Sequence, residues 1–299
     1  MTRRAFTARS ITRYIVLNEP RSGSSWLQEI SQMHPGIKVQ FELDLDAGDA
    51  ALACKQCLRP WTPDSKRPAL LPAKLHPPLA CGMTTFASDN RIADLRALAR
   101  RAGARLVVLL RRDHLAQAVS SYLHFNRDRF GPDVQRPVDW DAQELRRAVA
   151  EHRQAYARLL RMAAESGRPA HLVFYEDLVA DAGAVWRGLQ AFLGVPAVAV
   201  SGIAALERRS TSKPPAHYLR HLELLQKELA GTPLGDALRD GGPGGGVGTG
   251  AAGVLGAEFA RVCRVYGRGG LLSWRLHTCE GGEAVGWADD GPTGARREA

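Results

Sequence analysis

Long apolar runs are missing from this chain: none of its 299 residues fall in an uninterrupted hydrophobic stretch near the roughly 18 that a membrane-crossing helix needs. The sequence therefore reads as having no transmembrane segment. Cysteine is scarce and odd in number, five in all, which speaks against a disulfide scaffold and for a reducing, cytoplasmic setting. Acids are absent from the first thirteen residues, MTRRAFTARSITR. Such a basic, hydroxyl-rich start is shared with organelle transit peptides, yet it runs directly into an apolar strand pattern, so 1–13 is read as a short extension. Aromatics are few, at 7%, and do not interleave with the basic residues. That tells against nucleic acid as a partner even though Lys and Arg, 40 in number, exceed the 31 acids and leave a net charge of +9. The arginines fall instead on the polar faces of helical patterns such as RIADLRALARRAGAR and DAQELRRAVAEHRQAYARLLRM. An anionic small substrate is the partner class that this charge suits.

From residue 13 to 194 the chain alternates short β-branched or Leu-rich runs with longer helical ones. YIVLN (14–18), IKVQF (37–41), RLVVLL (105–110) and HLVFY (171–175) are too short for helices and are bounded like buried strands. Repeated βα units predict an α/β fold of three layers, α/β/α, around a central parallel sheet. The pattern fails over 44–78, where prolines at 60, 63, 68, 72, 77 and 78 impose an irregular insertion. Insertions after strands are where α/β proteins build substrate sites. Beyond the domain expected over 14–233, the run DGGPGGGVGTGAAGVLG opens a glycine-rich tail, 234–299.

Function centres on EPRSGSSWL, residues 19–27, which follows the first strand and opens a helical pattern. Glycine and serine let backbone N–H groups face into the turn, and the helix start adds its positive dipole end. The product is an anion cradle. It lacks the GxxxxGK[ST] pattern of nucleoside triphosphatases, and the strand RLVVLL ends in Arg111-Arg112 with no carboxylate to hold Mg²⁺. No metal site is expected. Cys54 and Cys57, with Cys81 and His34 or His76, lack a second ligand pair at zinc spacing and read as free thiols.

PRSGSSWL resembles the 5′-phosphosulfate loop of sulfotransferases, and LRRDHLAQAVSSYLHF resembles their 3′-phosphate motif, with Arg112 followed eight residues later by Ser120. HLVFYEDLVAD is similar to the family's segment after the fourth strand. ERRSTSKPPAHYLRHLELLQKELAGTP resembles the carboxyl-terminal segment of the bacterial branch that sulfates trehalose and nodulation factors. Together these landmarks cover about 14–233 in the right order. The resemblance implies a P-loop-like nucleotide-binding topology and 3′-phosphoadenosine 5′-phosphosulfate (PAPS) as co-substrate, with no metal. The sulfuryl acceptor it implies is a hydroxyl on a small molecule or, in the manner of the bacterial branch, on a carbohydrate. It assigns Arg21, Ser22, Gly23, Ser24, Ser25 and Trp26 to the 5′-phosphate and the transferred group, Arg112 and Ser120 to the 3′-phosphate, and Arg208, Arg209, Ser210 and Thr211 to closure over the nucleotide. For Trp26, packing in the core is the alternative, and Tyr175 and Asp177 read as structural. Two residues compete as general base, Glu42 after the second strand and His76 in AKLHPP. Rival readings are a degenerate P-loop kinase and a non-catalytic binder of the bisphosphate product, PAP.

Overall fold

The structure, a computed structural model, describes residues 11–40, 78–86, 92–125, 138–199 and 218–239. Five strands form one wholly parallel sheet in the order β2-β3-β1-β4-β5. They are β1 Thr12–Asn18, β2 Ile37–Gln40, β3 Ala80–Phe86, β4 Arg105–Leu110 and β5 Ala170–Phe174. Along β4, Leu106, Val108 and Leu110 join one core cluster while Val107 and Leu109 join another, as the two-residue period of a strand requires. Both faces are thus covered, which is why these strands read as continuous apolar runs.

One covering layer is α2 (Ile92–Ala102) with α4 (Ala142–Glu165), which bury Leu95, Leu98, Tyr156 and Leu159 against the sheet. The other is α1 (Ser24–Gln32) with α5 (Tyr175–Leu193), which bury Leu27, Ile30, Trp186 and Leu189. Helix α4 starts at a reciprocal capping box, Glu144 N–H donating to Asp141 Oδ1 (2.7 Å) and Asp141 N–H to Glu144 Oε2 (3.2 Å). A third cluster gathers α3 (His114–Phe125), the first turns of α4, and the short helices α6 (Leu222–Glu228) and α7 (Pro233–Arg239).

Four findings differ from the sequence reading. Strand β3, with the sequence ACGMTTF, was not foreseen, because it holds no Val, Ile or Leu and its β-branched residues are only Thr84 and Thr85. Its Gly82 is needed there: a Cβ would lie 2.1 Å from Tyr14 Cζ, so the Tyr14 ring fills the space of a side chain. Tyr175 starts α5 and does not end β5. The boundary expected at residue 233 falls on the first residue of α7, whose Leu238 is buried in the third cluster. Cys81 is disulfide-bonded, against the expectation of free thiols, and its partner lies outside the described residues. The insertion up to residue 77, residues 1–10 and residues 240–299 also lie outside them. Among the described residues, no helix is long and apolar enough to cross a membrane.

Candidate functional site

Strands β1 and β4 are neighbours at the centre of the sheet, and the chain leaves their carboxyl ends in opposite directions, β1 towards β2 and β4 towards β5. Such a divergence opens a crevice at the sheet edge, the usual ligand position in open α/β sheets. Residues 19–26 and 111–120 line it from its two sides.

On the β1 side, Ser22 N–H donates to Glu19 O (3.3 Å), closing a turn whose Arg21 has φ 64°. Gly23 follows with φ 99°, and a Cβ on it would lie 2.6 Å from Tyr175 Cδ2. Glycine is therefore required for both conformation and space. Gly23 caps α1, whose first intrahelical bond runs from Leu27 N–H to Gly23 O (3.1 Å). The N–H groups of Ser24, Ser25 and Trp26 thus have no acceptor within the helix, and no acid stands in its first turn to offset the dipole. Ser22 Oγ is fully buried and has no hydrogen-bond partner among the described residues. A buried hydroxyl without a partner costs about 1–3 kcal/mol, a cost that a bound oxyanion would remove. The chemistry of this loop fits a phosphate or sulfate group. Trp26 packs edge-on against Tyr175, centroids 6.2 Å apart, and against the α1/α5 core.

On the β4 side, the tip is braced by acids that arrive from α5. Glu176 accepts from the backbone N–H groups of Arg112 (3.0 Å) and Asp113 (3.1 Å). Asp177 takes both terminal nitrogens of Arg112, at 2.6 and 3.0 Å, while the guanidinium lies over the Phe174 ring. Asp113 caps α3 by accepting from Ala116 N–H at 2.7 Å. The sequence shows a basic strand tip with no carboxylate. Folding brings two to it, so the expected anion beside Arg112 is in part the protein's own.

The two sides meet directly. Arg21 Nε donates to Ser120 Oγ at 3.0 Å, joining residues 99 apart in sequence. Arg111 Nη1 donates to Arg21 O (3.4 Å), with its guanidinium 4.6 Å from the Tyr175 ring centroid. Beneath the tip, burial holds the His114 pKa down to about 3, with the positive charges of Arg153 and His152 adding to the effect. Burial, and then the charge of Arg111, holds His152 down to about 4. Both imidazoles are neutral at pH 7 in a positively charged neighbourhood.

The fold thus brings Arg21 onto Ser120, with Ser22, Gly23, Ser24, Ser25 and Trp26 in the adjoining loop and helix start, and holds Arg112 on Asp177. Glu42, His76, Arg208, Arg209, Ser210 and Thr211 lie outside the described residues. Sequence reasoning named Arg111 only as part of the basic strand tip and missed Gln117, Tyr156 and Glu176. Gln117 stands one helical turn before Ser120, a spacing that puts both on one face and was a usable signal. Tyr156, in the middle of α4, carries no local signal at all.

Residues 90–199 match the family model described as "Sulfotransferase family". No curated protein matches the chain. Among solved structures, the chain is similar to mouse sulfotransferase SULT7A1 complexed with PAP, at 15% identity and TM-score 0.45, covering 77% of this chain and 88% of that one. It is similar to a sulfotransferase from Alicyclobacillus acidocaldarius at 17% identity and TM-score 0.41, over 74% and 90%. Sulfotransferase STF9 from Mycobacterium avium aligns at 15% identity and TM-score 0.39, over 74% and 75%.

Proposed function

We propose that this chain, whose residues 90–199 match the sulfotransferase family model, moves a sulfuryl group from PAPS to an acceptor hydroxyl, on a carbohydrate or other small molecule. The observation that carries the reading is the Arg21–Ser120 hydrogen bond, which joins an N–H-rich loop and a basic strand tip into one site for a doubly anionic ligand. PAPS supplies the activated sulfuryl group, and transfer by in-line displacement asks the protein mainly for positioning and charge stabilisation.

The backbone N–H groups of Gly23 to Trp26 and the hydroxyls of Ser22, Ser24 and Ser25 hold the 5′-phosphate. Arg21 neutralises charge that grows on the leaving oxygen. Arg112 and Ser120 hold the 3′-phosphate, with Asp177 keeping the Arg112 fork in place. Arg208, Arg209, Ser210 and Thr211 close over the nucleotide. Glu42 takes the acceptor's proton, with His76 orienting the acceptor; the carboxyl-terminal likeness to the bacterial branch supports Glu42. Glu42→Gln then lowers kcat about 10²–10⁴-fold at unchanged nucleotide affinity, and His76→Ala acts on KM. The opposite pattern gives His76 the role of base.

Thermal denaturation with added nucleotides tests the reading itself. Adenosine 3′,5′-bisphosphate raises the Tm where AMP and ATP at equal concentration do not. A larger shift with ATP points to a kinase-like protein, and a bisphosphate shift without turnover on any hydroxyl acceptor points to a binding protein.

A further inference from the structure

Arg21 is one of two described non-glycine residues with positive φ, at 64°. A side chain in that region costs about 1–3 kcal/mol and persists only when its surroundings over-determine it. Here the surroundings can be named. The carbonyls on either side of the strained residue are both held from outside the loop: Gln117 Nε2 donates to Pro20 O (2.9 Å) and Arg111 Nη1 to Arg21 O (3.4 Å). Tyr156 then ties these two holders together. Its hydroxyl accepts from Arg111 N–H (2.8 Å) and donates to Gln117 Oε1 (2.5 Å).

Gln117 and Tyr156 are buried, 0% and 1% exposed, and their side-chain polar atoms are all partnered within this chain, whereas Arg111 Nε is buried without a partner among the described residues. Burial raises the Tyr156 pKa, so the phenol keeps the proton that it donates. The neutral His114 ring lies against it, centroids 5.1 Å apart. Helix α3 thus grips Arg21 at two points one turn apart, the backbone through Gln117 and the side chain through Ser120. Turning the Pro20 carbonyl towards Gln117 also aims the Arg21 N–H the opposite way, because the peptide unit is planar.

We propose that Gln117 and Tyr156 are positioning residues that hold Arg21 in its left-handed conformation and so aim its guanidinium at the bound anion. This rests on the sulfotransferase reading of the site, though neither residue touches the nucleotide. A residue acting only through Arg21 has a signature that a general packing role lacks: its effect vanishes once Arg21 is gone.

The experiment is a double-mutant cycle on affinity for adenosine 3′,5′-bisphosphate, measured by titration calorimetry on the full chain. Gln117→Met and Tyr156→Phe each weaken binding about 3- to 30-fold, the range of one or two lost neutral hydrogen bonds. Together they lose little more than the larger single loss, because they form one chain. In an Arg21→Ala background each changes affinity less than about twofold. Losses of the same size with and without Arg21 overturn the proposal and leave the pair as ordinary core. If Gln117→Met does not fold, Tyr156→Phe carries the same comparison. A wild-type chain that ignores the bisphosphate overturns the sulfotransferase reading instead, and the cycle is then read with inorganic sulfate. Absence of sulfate binding as well overturns both.

Discussion

The two sides of the crevice are built by opposite means. On the β1 side the anion-facing groups are backbone amides, shaped by the positive φ of Arg21 and Gly23 and left without an acid in the first turn of α1. On the β4 side the work falls to side chains, and α5 supplies the acids that order them, Glu176 on two backbone N–H groups and Asp177 on the Arg112 fork. The difference teaches where each side is fragile. A backbone cradle fails when its conformation is blocked, and a braced side-chain tip degrades by steps as braces are removed.

The largest effect is therefore expected at Gly23. Gly23→Ala meets both the left-handed backbone and the Tyr175 ring. Strain of about 1–3 kcal/mol, relieved when the loop leaves its binding shape, corresponds to a loss of about 5- to 150-fold in bisphosphate affinity. Calorimetry with the variant checks it, and near-normal affinity would mean that the loop is not the anchor.

At the tip the changes are smaller and graded. Arg112→Ala weakens adenosine 3′,5′-bisphosphate about tenfold, towards the low end for a charged hydrogen bond because Asp177 already balances part of the charge. Adenosine 5′-phosphosulfate, which lacks the 3′-phosphate, is bound almost as before. Asp177→Asn loosens the Arg112 fork and weakens the bisphosphate by about two- to threefold, a modest loss because Asp177 is 42% exposed. Equal losses for both nucleotides on Arg112→Ala would sink the phosphate role, and tighter binding on Asp177→Asn would make Asp177 a competitor of the phosphate and not a brace.

The smallest effect at neutral pH lies beneath the tip. His114 is buried as the neutral form, its pKa held to about 3 in the folded chain against an unfolded value near 6.5. Between those values the unfolded chain binds more protons, so this group's contribution to stability is intact above pH 6.5 and is lost as pH falls towards 3. His114→Phe, which keeps the ring against Tyr156, should flatten the fall in Tm between pH 6.5 and 4. A Tm profile parallel to wild type would assign the acid sensitivity elsewhere, His152 and His171 being the other histidines with lowered pKa among the described residues.

Much of the frame was legible because its signals are local. Strands β1 and β4 announce themselves as apolar runs, α2 and α4 as amphipathic repeats, and EPRSGSSWL as a Gly/Ser turn that opens a helix. Strand β3 was not legible, since ACGMTTF gains its strand character from lying between β1 and β2, with Tyr14 covering Gly82. The spacing of Arg112 and Ser120 predicts that both belong to one site, and Ser120 does meet Arg21. Nothing local told that Arg112 would be bound by Asp177.

By itself the sequence determined the βα order, the parallel sheet and the Gly/Ser loop ahead of α1, because hydrophobic period and glycine stereochemistry act within a few residues. The tertiary structure alone decided which charges meet. Glu176 and Asp177 are more than sixty residues from the tip they brace, and Gln117 is 97 from the Pro20 carbonyl that it holds. Charge and hydrogen bonding depend on distance in space, and only the packing of α3, α4 and α5 on the sheet sets that distance.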